Sequence, residues 1–80
     1  MEKSLFSKGY ITFLRHLRTA REGADMTQDE LASRLRKTQS FVSKCERGER
    51  RIDVIELRAF CKALKVSFVD FIRTLDSDLN

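Results

Sequence analysis

Between Thr27 and Gly48 the chain reads TQDELASRLRKTQSFVSKCERG, and this stretch admits few folds. Thr27 can cap a helix, and Glu30, three residues later, can return a hydrogen bond to it, the reciprocal pattern of a capping box. Leu31, Ala32 and Leu35 follow the i, i+1, i+4 spacing of a buried helical stripe. Arg36-Lys37 is too short and too polar for anything but a turn. Thr38 can cap a second helix over residues 39–47, and Gly48 suits the residue just past its end. At roughly 100° per residue, Phe41, Val42 and Cys45 fall on one side of that helix. Gln39, Ser40, Ser43 and Lys44 fall on the other. Two short helices across a tight turn, the second with a polar face, are built to carry side chains into a DNA major groove. All four polar residues can make hydrogen bonds, and Gln and Lys have the reach to touch base edges.

The rest of the chain reads as helices packed around this pair. Tyr10, Phe13, Leu14, Leu17 and Ala20 follow helical spacing and predict a first helix over residues 7–23. The six residues before it read as an arm or an early helical turn. Asp53 and Glu56 form a second capping pair, and Val54, Leu57, Phe60, Cys61 and Leu64 form the buried stripe of a fourth helix. Ser67 and Asp70 offer a third pair for a last helix, residues 67–77, with Phe68, Val69, Phe71, Ile72 and Leu75. The expected fold is all-α, a compact five-helix bundle in one domain over residues 1–80, without linker, repeat or low-complexity segment.

Composition excludes several classes. The 80 residues include no proline, no tryptophan and three glycines, with 35% charged residues, which favours helices over a sheet with many turns. There is no apolar run near 18 residues, so no membrane span is expected, and no signal peptide opens the chain; the expectation is a cytoplasmic protein. Cys45 and Cys61 lie on predicted buried stripes and read as small core hydrophobes. His16 is the only histidine and there is no C-x-x-C, so no metal and no cofactor is expected. Neither a nucleophile–base pair nor a phosphate-cradling glycine loop is present, so an enzyme is not expected.

The net charge is +4, and it is unevenly placed. Residues 1–52 hold 12 Lys/Arg against 7 Asp/Glu, and residues 53–80 hold 4 against 5. The basic excess therefore travels with the two-helix stretch, as a phosphate-binding surface requires. Arg47, Arg50 and Arg51 surround the loop after the second helix, where cations clamp phosphates.

The run T-Q-x-x-L-A, with Q-S-x-V-S-K-x-E-R-G-E-R-R further on, resembles the Cro and phage-repressor (XRE-like) helix-turn-helix family over about residues 13–69. The resemblance implies a lambda-repressor-like DNA-binding domain. It implies that Gln28 contacts phosphate, that Gln39, Ser40 and Lys44 reach bases with Ser43 close by, and that Arg21 pairs with Glu46 and approaches the DNA backbone. Glycine is common in the family where Asp25, Arg36 and Lys65 stand. If those positions keep positive φ, each side chain costs roughly 1 kcal/mol.

The expected function is a sequence-specific transcriptional regulator that binds a palindromic operator in double-stranded DNA as a homodimer. Phe68, Phe71, Ile72 and Leu75 are the expected interface, with Phe71 and Leu75 toward the partner. The chain leaves no room for a ligand-sensing domain, which favours a compact phage, plasmid or restriction–modification regulator. The alternative is an antitoxin-like interaction module, for which residues 76–80 would be the partner-binding tail. Asp29 and Glu30 are placed either to meet RNA polymerase or to favour the positive end of their own helix.

Overall fold

The computed structural model of the chain describes residues 7–79; the arm or turn expected over residues 1–6 lies outside them. Five helices follow in order: α1 (Lys8–Gly23), α2 (Gln28–Leu35), α3 (Gln39–Glu46), α4 (Val54–Leu64) and α5 (Phe68–Asp78). Each starts where the sequence supplies an oxygen for an N–H that has no partner inside the helix. Ser7, Thr27, Thr38, Asp53 and Ser67 accept from the backbone N–H groups of Tyr10, Glu30, Phe41, Glu56 and Asp70. The boxes Thr27–Glu30 and Asp53–Glu56 are both complete. At Ser67 the carboxylate of Asp70 accepts instead from Arg73 Nη1 at 2.6 Å.

The turns keep their shape without glycine. Asp25, Arg36 and Lys65 hold φ of 60°, 59° and 60°, the left-handed conformation in which helices commonly end. Gly48 alone meets the rule, at φ 82°. It is buried, and a Cβ there would stand 3.0 Å from Leu14 Cδ1.

α2 and α3 pack on each other, α4 lies against α2, and α5 closes the far side against α1 and α4. Their apolar stripes meet in one core that includes Leu17, Leu31, Val42, Cys45, Phe60 and Cys61. Two expectations need correction. Val54 is 60% exposed, because the first turn of α4 overhangs the core that Leu57, Phe60, Cys61 and Leu64 fill. Phe71, expected to face a partner, is 8% exposed. Its ring stands edge-on to Phe13 at 6.2 Å and to His16 at 6.3 Å, so α1 already occupies it. Leu75 and Phe68 are half-buried against the same core, and the apolar side chains that α5 leaves outward are Val69, Ile72 and Leu79. His16 Nε2 lies 2.7 Å from Asp78 Oδ2, tying the end of α5 to α1. The last helix, expected to about residue 77, runs to Asp78, so residues 76–78, the tail that the antitoxin-like alternative would need, are helix. No described helix is long and apolar enough to cross a membrane.

Candidate nucleic-acid interface

The site is assembled at the junction of α1, α2 and α3. Glu46, at the C-terminal end of α3, has a fully buried side chain. Arg21 of α1 grips it with two hydrogen bonds, Nε to Oε2 at 2.6 Å and Nη2 to Oε1 at 3.0 Å. The third arm of the guanidinium, Nη1, donates to Met26 O at 2.8 Å, which locks the α1–α2 turn to the same point. Burial by itself would push the Glu46 carboxyl up. Hydrogen bonds from Arg21 and Gln28, with the charges of Arg21 and Arg18, outweigh that and hold it below the ordinary carboxylate range. The hydrogen bond to Glu46 likewise raises Arg21.

The junction also orients the polar surface. Gln28 Nε2 donates to Glu46 Oε1 at 3.0 Å, and Gln39 Nε2 donates to Gln28 Oε1 at 2.7 Å. A carboxylate only accepts, so the amide of Gln28 has one permitted orientation, and that sets the next. Gln39 is left with its carbonyl oxygen and one amide hydrogen for other partners. Beside it on α3, Ser40 and Lys44 are exposed and Ser43 is half-exposed. The expected base-contacting residues thus share one outward face, while Val42 and Cys45 anchor the other in the core. Burial pushes the thiols of Cys45 and Cys61 up, so both stay protonated core groups.

The loop after α3 is arranged differently from expectation. Arg47 donates from Nε to Glu49 Oε2 at 2.8 Å and from Nη1 to Ser43 Oγ, so it covers one candidate base contact. Arg50 is engaged with neighbouring groups although its side chain is exposed. It holds Glu56 through Nη1 at 3.1 Å and Nη2 at 2.7 Å and donates to Arg51 O at 2.9 Å; its Cζ lies 4.9 Å from the Phe41 ring centroid. Lys37 caps the same ring at 5.2 Å. Arg21 holds Glu46 as the family resemblance implies, whereas Arg50, expected on the DNA backbone, holds Glu56. Arg51 lies over the Tyr10 ring at 4.1 Å, and the Tyr10 hydroxyl accepts from Ile52 N at 3.2 Å.

Two features escaped the sequence reading. One is the amide relay from Gln39 to Gln28. The other is Arg18, whose Nε lies 3.5 Å from Glu46 Oε1. Arg18 stands three residues before Arg21, a helical neighbour spacing that would have signalled it.

A polar helix face held by a buried charged junction defines a helix-turn-helix protein, and comparison with known families agrees. The profile of the Helix-turn-helix family HTH_3 matches residues 17–71. The chain belongs to the XRE-type helix-turn-helix family of DNA-binding transcription regulators. Among solved structures, an XRE-family like protein from Pseudomonas syringae pv. tomato str. DC3000 is 42% identical, with a TM-score of 0.84 over 90% of this chain and 88% of that one. The wild-type restriction-modification controller protein C.Esp1396I is 26% identical, with a TM-score of 0.82 over 91% and 95%. That controller as a tetramer in complex with its natural 35 base-pair operator is 27% identical, with a TM-score of 0.79 over 89% and 93%. Comparison with curated proteins yields no match.

Proposed function

We propose that this chain is a single-domain, sequence-specific transcriptional regulator that binds a palindromic operator as a homodimer, with α3 in the major groove. The observation that carries the proposal is the outward face of Gln39, Ser40 and Lys44, backed by the buried Arg21–Glu46 junction. Preorganised donors and acceptors on a rigid helix read base edges. Lys44 suits guanine O6 or N7, Gln39 and Ser40 read beside it, and Ser43 joins them when Arg47 swings away. Gln28, Arg47 and Arg51 take phosphates, whereas Arg21 and Arg50 position the helices. The similar controller protein, seen as a tetramer on its operator, supports a DNA-bound oligomer here.

With Phe71 in the core, the dimer surface falls to the outer side of α5. Residues 68, 72, 75 and 79 lie within about 60° of one another on a helical wheel, and Ile72 and Leu79 are 38% and 48% exposed. A stripe of that length can bury several hundred Å² against a symmetry mate at roughly 25 cal/mol per Å². The Glu30 carboxylate is engaged in its capping box, so a polymerase contact on that turn of α2 falls to Asp29.

Selection of bound DNA fragments followed by titration tests the reading. Lys44→Ala should lose about 1–3 kcal/mol at the selected site and less on random duplex. Wild-type protein without salt-dependent duplex binding would overturn the proposal. Sedimentation equilibrium tests the dimer: a wild type that stays monomeric at high micromolar concentration removes it.

A further inference from the structure

We infer that α1 carries a second part of the DNA surface, a groove between Arg15 and Arg18 that receives a backbone phosphate beyond those met by α2 and the loop after α3. The inference rests on the DNA-binding reading above. The groove has a volume of about 420 Å³. Ile11 and Leu14 line it together with Arg15, Arg18 and Thr19, and the carboxylates of Glu22 and Glu46 border it.

Its place in the molecule points to the ligand. Arg18 Nε lies 3.5 Å from Glu46 Oε1, the oxygen that also accepts from Gln28 Nε2 at 3.0 Å. Arg18 therefore meets Gln28, the first residue of α2, at a shared atom, and on this inference the strand that passes Gln28 lies against α1. The charges point the same way. Arg21, 12% exposed, already answers the single charge of Glu46 with two short hydrogen bonds. Arg18 is a second guanidinium on that one carboxylate, and its side chain is 51% exposed. Arg15, Arg18 and Arg21 against Glu46 and Glu22 leave the region with one positive charge in excess, beside the apolar side chains of Ile11 and Leu14. Arg15, three residues before Arg18 and exposed, is the second cation lining the groove. A phosphodiester fits this arrangement: one negative charge, several acceptor oxygens, and fork-shaped guanidinium donors to meet them.

The salt dependence of binding to a mixed-sequence DNA duplex, measured with the full chain, tests this. Each phosphate contact contributes about 0.9 to the slope of log K against log salt. Arg18→Gln should lower the slope by about that amount and Arg15→Gln/Arg18→Gln by about twice it, with Arg18→Lys restoring the single loss. A purely structural role through Glu46 would lower the melting temperature and leave the slope alone. An unchanged slope in the folded double variant overturns the inference. Should loss of Arg18 unfold the chain, Arg15→Gln leaves Glu46 untouched, and an unchanged slope there is equally fatal. If wild type itself lacks salt-dependent binding, the DNA reading has failed, and that outcome is distinct from the others.

Discussion

Helix α3 is held along two edges by the same chemistry in two different solvents. On the inner edge Arg21 grips Glu46, with side chains 12% and 0% exposed. On the outer edge Arg50 grips Glu56, with 44% and 29% exposed. Both pairs are two-pronged. Water can replace either partner of the outer pair, so its net worth is that of a surface ion pair. Loss of Arg21 leaves Glu46 a buried charge with only Gln28 at 3.0 Å and the more distant Arg18 at 3.5 Å, both on Oε1, so Oε2 loses its partner. The difference teaches that burial, not bond geometry, decides which clamp the helix depends on.

The sharpest way to break that comparison is Glu46→Gln. It strands Arg21 beside a neutral amide, and we expect a loss of about 3 kcal/mol in urea denaturation. DNA affinity should also fall, although a negative charge is removed near a polyanion. A loss below about 1 kcal/mol would place the inner pair in the same class as the outer one.

Acid should erase the difference. The folded-state pKa of Glu46 lies below its unfolded value. Its stabilisation is therefore complete above the ordinary carboxylate range and is lost as pH falls through the folded value. The stability gap between wild type and Glu46→Gln should be full at neutral pH and shrink on acidification below about pH 4.3. A gap that stays constant would show that Glu46 does not titrate with folding.

Gly48→Ala probes the place where the outer edge has no slack. With φ at 82° and Leu14 Cδ1 3.0 Å from the new Cβ, the expected cost is about 1–2 kcal/mol by thermal denaturation. Arg50→Ala should do less to stability and leave the salt slope of DNA binding unchanged, because Glu56 already holds its guanidinium. A slope reduced by about one unit would return Arg50 to the backbone. The smallest effect is Glu49→Gln. It frees Arg47, whose pair with Glu49 is about half exposed on both sides, and the melting temperature should not move measurably.

Much of the fold was legible because its signals are local. Thr27–Glu30 and Asp53–Glu56 act within one helical turn, and each box formed as its spacing predicts. The stripe of Leu57, Phe60, Cys61 and Leu64 needs only the helical period to find the core. The family resemblance over about residues 13–69 also placed Arg21 against Glu46, which periodicity alone could not pair across 25 residues.

What the sequence determined by itself is the set of helices, their starts, and which face of α3 is polar, since each depends on residues within a turn or two of one another. Only the tertiary structure decided the rest. Phe71 is core, not interface, because α1 brings Phe13 and His16 to its ring. Arg50 is tied to the start of α4 because Glu56, in the first turn of that helix, lies beside it. Arg36 and Lys65 close their helices in the left-handed conformation, with φ of 59° and 60°, where glycine would do so with less strain. Gln39 is oriented from Glu46 through Gln28, three residues on two helices that meet when α2 and α3 pack together. A side chain's partner is a property of distance in space, and for these residues the fold, not the neighbouring sequence, sets that distance.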